Sequence, residues 1–239
     1  MSNGVDSRKS VDERRGGRTG GRRFPGRLVF VDLETAGQQP WRPIMQIAAV
    51  AVDGRGRTLE VFEAKLQFSE RQATKRALSR RHYDRRRWYR EARPPREVAL
   101  RFRQFLIRHA VPGGYCADGK QLWQARLVAH NAAFDGPFLR KWFERQQLHF
   151  PADFRILCTL HRALWFFQER PDLRPPPDFK LGTLCQYFGI PLRPDEAHDA
   201  LADVRATVEL YRCLKGEAMQ KQCEDSALAI SNISEPGCG

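Results

Sequence analysis

Residues 27–34 read RLVFVDLE, and no other stretch restricts the fold as tightly. In an extended chain, alternation puts Leu28, Phe30, Asp32 and Glu34 on one face and Val29, Val31 and Leu33 on the other. Both faces are apolar as far as Val31, which predicts a central strand covered on both sides. Two carboxylates, Asp32 and Glu34, then stand at its C-terminal end and point the same way.

The rest of the chain supplies neighbours for that strand. A second strand is predicted over 44–52 (IMQIAAVAV), and Asp53-Gly54 makes a hairpin-type turn into a third near 58–68. Residues 70–92 read as helical and strongly basic. Pro94-Pro95 opens a helix over about 95–110, with Val98, Phe102, Phe105 and Leu106 on one stripe. A short strand at 126–129 leads to a helix near 134–147, with Pro137 in its first turn. A strand at about 154–158 leads to a helix at 159–168, and a proline-rich loop at 171–177 precedes a short helix at 180–188. The last helix runs from about 198 to 216. Three antiparallel strands followed by alternating helix and strand predict an α/β fold, a mixed β-sheet of about five strands flanked by α-helices.

Charge divides the chain. Residues 1–27 carry 8 Lys+Arg against 3 Asp+Glu, and residues 71–108 carry 14 against 3. Since the whole is +13, the remainder is slightly acidic. Residues 1–26 read as a disordered basic tail, 27–218 as one domain with a basic helical insert at 70–93, and 219–239 as a C-terminal tail. Such a charge favours a polyanionic partner. No apolar run approaches the roughly 20 residues of a membrane span, so no membrane association is expected. The twin arginines at 14–15 and 22–23 precede no apolar leader, which argues against export. Six cysteines without a CxxC pair fit a reduced, cytoplasmic protein with neither a disulfide framework nor a zinc site.

Three segments carry chemistry. In VFVDLET (29–35), Asp32 and Glu34 repel each other unless a hard divalent cation lies between them. In LVAHNAAFDGPFL (127–139), Asp135 shares an apolar stripe with Leu139, Trp142 and Phe143, an unexpected place for an acid that binds nothing. In AHDALADV (197–204), His198 and Asp203 would be about 140° apart on one continuous helix, and converge only if His198 sits in the loop before it. Asp199 and Asp203 share a face by i, i+4 spacing, and Asp199 also suits an N-cap.

FVDLET, HNAAFD and HDALAD together resemble the three exonuclease motifs of the DEDDh, or DnaQ-like, 3′–5′ exonucleases, over roughly residues 27–215. That family includes polymerase proofreading subunits, RNase T and oligoribonuclease. The resemblance implies an RNase H-like fold and two Mg²⁺ or Mn²⁺ ions. It implies Asp32, Glu34, Asp135 and Asp203 as metal ligands and His198 as the general base. The reaction implied is hydrolysis of terminal phosphodiesters to nucleoside 5′-monophosphates. Thr35, Ala36, His130 and Asn131 are candidate substrate contacts, and Phe134 reads as core. DNA stands ahead of RNA as substrate; the alternatives are an RNA 3′-end trimming enzyme and a non-catalytic nucleic-acid-binding module of the same fold. A polymerase or other protein partner, and a homodimer, both fit the family's habits.

The basic insert departs from the family's short members. RQATKRALSRRHYDRRRWYREAR (71–93) interleaves arginines, Arg85, Arg86 and Arg87 among them, with Tyr83, Trp88 and Tyr89. That pairing suits the phosphates and bases of a single strand.

Overall fold

Leu28–Thr35 form strand β1, buried along almost its whole length, as the two-sided apolar pattern requires. The computed structural model describes residues 26–79, 83–192 and 199–216. β1 lies in the middle of a five-stranded sheet of order β3-β2-β1-β6-β7. β2 (Ile44–Val52) and β3 (Thr58–Lys65) continue it by antiparallel pairing on one side. β6 (Leu127–Ala129) and β7 (Leu157–Cys158) continue it by parallel pairing on the other. The expected mixed α/β sheet is therefore present, with its first three strands antiparallel.

Each face of β1 has its own apolar layer. Val29, Val31 and Leu33 pack with α3 (Pro95–Arg108) and α4 (Ala132–Arg145). Pro95 stands at the first position of α3, where its missing N–H costs nothing, and Val98, Phe102, Phe105 and Leu106 are buried. Leu28 and Phe30 pack instead with α7 (Ala200–Leu214) through Ala200, Val204 and Val208. Asp32 and Glu34 continue the Leu28–Phe30 face, so alternation delivers them to the α7 side. α5 (Thr159–Gln168) and α6 (Leu181–Phe188) form a third cluster against the outer side of α7.

Three features differ from expectation. The basic insert is not one helix. It contains a 3₁₀ turn at Glu70–Gln72, the single turn α1 (Lys75–Leu78) and α2 (Arg85–Glu91). Thr74 and Asp84 cap the two α pieces through side-chain oxygens, so each start is written locally. α4 begins at Ala132, which puts Pro137 inside the helix instead of in its first turn. The carbonyl that Pro137 leaves unbonded belongs to Ala133, an exposed residue, so water can reach it. The sequence pattern also does not predict a two-stranded antiparallel hairpin, β4 (Val111–Tyr115) with β5 (Gln121–Gln124).

Among the described residues no helix is long and apolar enough to cross a membrane. Cys116, Cys158, Cys185 and Cys213 are free thiols, and burial pushes the Cys185 thiol up to about 12. The expected tails at 1–26 and 219–239 lie outside the described residues, apart from Gly26.

Phe102 is fully buried and touches the rings of Phe62, Phe105, Trp142 and Phe143. Phe102→Ala should lower the unfolding free energy by about 3–5 kcal/mol. Urea titration checks this, and a loss below about 1 kcal/mol would contradict the packing.

Candidate active site

Asp32 and Glu34 occupy β1 beyond the point where β6 has ended; the last paired residues there are Phe30 and Val128. Asp203 enters from the first turn of α7. Asp32, Glu34 and Asp203 each offer a carboxylate oxygen, and these oxygens lie within 4.8 Å of one another. Glu34 and Asp203 are nearly covered, at 8% and 9% exposed, and Asp32 is half-buried. Hard oxygen donors at this spacing fit a hard divalent cation.

Asp135 comes from the first turn of α4 and is 3% exposed. Its position follows from the sheet edge. Val29 N–H donates to Arg126 O at 2.9 Å, so alternation directs the N–H of Leu33 to that same edge, past the end of β6. The Asp135 carboxylate accepts from that N–H. It therefore meets β1 between Asp32 and Glu34 and borders the trio. Burial pushes its carboxyl up to about 8, against the pull of the Leu33 amide and its own. The first turns of two helices thus face the acids, each adding positive character.

Asp199 is the N-cap of α7. Its side chain accepts from Leu201 N and Ala202 N at 3.1 and 3.2 Å. Sequence reasoning missed the residue that steadies this cap. Gln46, opposite Glu34 on β2, is 1% exposed and donates its side-chain amide to Glu63 Oε1 at 3.0 Å and to Asp199 Oδ2 at 3.3 Å. The signal was available: it is the one polar side chain in IMQIAAVAV. His198 lies outside the described residues.

The other candidates separate by geometry. Both backbone groups of Ala36 are used internally, its N–H on Pro43 O at 2.9 Å and its carbonyl by Thr74 N at 2.8 Å. Its side chain is buried against the insert. Thr35 is buried and its hydroxyl donates to Gly37 O at 2.7 Å. His130 braces two segments. Nε2 is 3.0 Å from Phe179 O, so it carries the proton, and Nδ1 is 3.0 Å from the Thr159 hydroxyl. Burial lowers its pKa, which keeps the ring neutral. Asn131 is exposed and left-handed (φ 62°, ψ 53°) at the junction of β6 and α4, a conformation asparagine tolerates. Phe134 packs on Phe138 at 4.8 Å, as core.

In the insert, Trp88 and Tyr83 are packed with Phe68, Ala77 and Ala92, which corrects their reading as base-stacking groups. Tyr89 is 89% exposed. Arg85, Arg86 and Arg87 are all exposed; Arg85 lies 3.5 Å from Glu70 and Arg87 lies 2.9 Å from Glu91.

A family model described as Exonuclease (RNase_T) matches residues 29–211. A Mycobacterium tuberculosis protein described as a bifunctional exonuclease/endonuclease is 37% identical over 90 residues, 37% of this chain and 13% of that protein. Solved structures agree in fold. Exonuclease I from Methylocaldum szegediense is 20% identical, with a TM-score of 0.65 over 80% of this chain and 40% of its own. The zinc-bound E. coli ExoI–ssDNA complex is also 20% identical, with a TM-score of 0.63 over 85% of this chain and 43% of its own. The chain thus spans about two-fifths of the length of these exonucleases.

The raised Asp135 carboxyl has a consequence for stability. A folded-state value near 8 against an ordinary 3.8 favours the folded protein fully below the lower figure, and that contribution is lost as pH rises through the higher one. In EDTA, thermal stability should therefore fall between about pH 4 and pH 8, and Asp135→Asn should remove most of that slope. Calorimetry across the range tests this; an identical slope in the variant would refute it.

Proposed function

The chain belongs to the Exonuclease family whose model it matches, and on that premise we propose that it is a metal-dependent 3′–5′ exonuclease acting on unpaired DNA ends. The meeting of Asp32, Glu34 and Asp203 within 4.8 Å carries this reading. The buried Asp135 beside them supports it, because a second cation would relieve the cost of ionising that carboxyl.

In this reading the four carboxylates would hold two Mg²⁺ or Mn²⁺ ions, which would make a bound water more acidic and offset the negative charge that develops at the phosphate. His198 takes the proton of the attacking water, a task suited to a group that titrates near neutral pH. Asn131, exposed where β6 passes into α4, helps to seat the terminal nucleotide, and the product is a nucleoside 5′-monophosphate. The choice of an unpaired DNA strand draws support from E. coli exonuclease I, whose structures include complexes with single-stranded DNA and a 5cy-dA13 oligonucleotide.

The direct test is a panel of 5′-labelled single-stranded DNA, duplex DNA and RNA with Mg²⁺. Single-stranded DNA should shorten from its 3′ end one nucleotide at a time. Asp32→Ala should slow this by about 10³-fold or more, as expected when several kcal/mol of charge stabilisation are lost. Wild-type rates in that variant would overturn the site, and faster trimming of RNA would move the substrate to RNA.

A further inference from the structure

The insert between β3 and α3 lines an open cavity of about 520 Å³ that the catalytic cluster does not use. Its inner wall is packed around Trp88. The Trp88 indole donates to Leu66 O at 3.1 Å, and the Lys65 ammonium lies 5.3 Å from the centre of that ring system. Phe68 and Tyr83 close on Trp88 at centroid distances of 6.3 and 5.4 Å. The acid in the wall, Glu70, is engaged on both sides: the Tyr83 hydroxyl donates to it and Arg85 pairs with it at 3.5 Å. The rim carries Tyr89, 89% exposed, with the exposed cations Arg71 and Arg85.

The cavity also stands at the right end of the sheet. Lys65 pairs with Gln46, and Gln46 pairs with Glu34, so Lys65 is two strands, or about 10 Å, from the catalytic strand end. The cavity begins two residues later, at Gln67. A strand whose 3′ end lies at the acids can pass over it.

We propose that this cavity is a second, non-catalytic site for single-stranded nucleic acid, taking an unpaired base and its phosphate upstream of the cleaved end. Its substrate class rests on the exonuclease reading above. Tyr89 offers a π-face that any base can stack on, and Arg71 offers charge to the phosphate, while Arg85 offsets Glu70 beside it. The neighbourhood is complementary to a polyanion: residues 71–108 carry 14 Lys+Arg against 3 Asp+Glu. Stacking on an exposed tyrosine is tolerant of sequence, so the site would add grip without base selectivity.

The test is fluorescence anisotropy of a fluorescein-labelled oligo(dT) of about 12 nucleotides in EDTA, where no hydrolysis intervenes. Tyr89→Ala should weaken binding about tenfold and Tyr89→Phe should restore it. Arg71→Gln should lower the dependence of log affinity on log salt by about 0.7. Tyr115→Ala, which removes a tyrosine 70% exposed on the β4–β5 hairpin, should bind as wild type. Unchanged affinity in Tyr89→Ala, or an equal loss in Tyr115→Ala, would overturn the proposal; the former would leave the rim to a protein partner. Because binding is read without turnover, a chain that binds through Tyr89 but does not hydrolyse would overturn the catalytic reading alone. A chain that hydrolyses but binds independently of Tyr89 would overturn this site alone.

Discussion

Crowding of negative charge at one end of a buried strand is the constraint on which the rest of the structure depends. Carboxylate oxygens of Asp32, Glu34 and Asp203 lie within 4.8 Å of one another, a spacing at which like charges repel by about 3–4 kcal/mol at an effective dielectric near 20, and the Asp135 carboxyl is buried beside them. The fold partly offsets this. It points the first turns of α4 and α7 at the acids, and it leaves the N–H of Leu33 beyond the end of β6 for Asp135 to take. A short β6 is therefore a requirement of the site. Two more residues of pairing would occupy the donor that Asp135 uses.

Much of this was legible because it depends on periodicity. Two-fold alternation in LVFVDLE specified the burial of β1 and the shared direction of Asp32 and Glu34. Helical spacing specified the stripe of α3 and the burial of Asp135 with Leu139, Trp142 and Phe143. What escaped depends on contacts between distant segments. Gln46 matters through Glu63 and Asp199, which are far from it in sequence. His130 is flanked by motif residues, yet Thr159 and Phe179 take both of its ring nitrogens. The insert misled for another reason. Its arginines hide any apolar period, and the aromatic residues that read as stacking groups supply the small core that holds it down.

Net charge also needs reading by location. The strongly basic stretch at 71–108 suggests a uniform cationic field, but several of its members are answered nearby. Arg87 pairs with Glu91, Arg85 with Glu70 and Arg108 with Glu60. Lys65 joins Glu91 from β3. These exposed pairs add little stability, and among the described residues Arg71, Arg76, Arg86 and Arg90 are exposed cations outside them. Acidic groups at the strand end and cations on the insert then form two zones, one suited to metal ions and the other to a phosphate backbone.

The start of α7 decides between the two readings of Asp199, a face shared with Asp203 or an N-cap, in favour of the cap. Counted on a continuous helix, Asp199 and Asp203 share a face and would be equal candidates for the cluster. The chain turns helical only at Ala200, and Asp199 keeps an extended backbone (φ −96°, ψ 119°). It is therefore not on the wheel. Its carboxylate turns back to the amides of Leu201 and Ala202, while its carbonyl accepts from the N–H of Asp203 at 2.9 Å. One acid thus fixes where the helix begins, and that start fixes which direction the other acid faces. The angle of about 140° calculated between His198 and Asp203 presumes helix at both residues. α7 starts at Ala200 and His198 lies outside the described residues, so the angle describes no part of this structure.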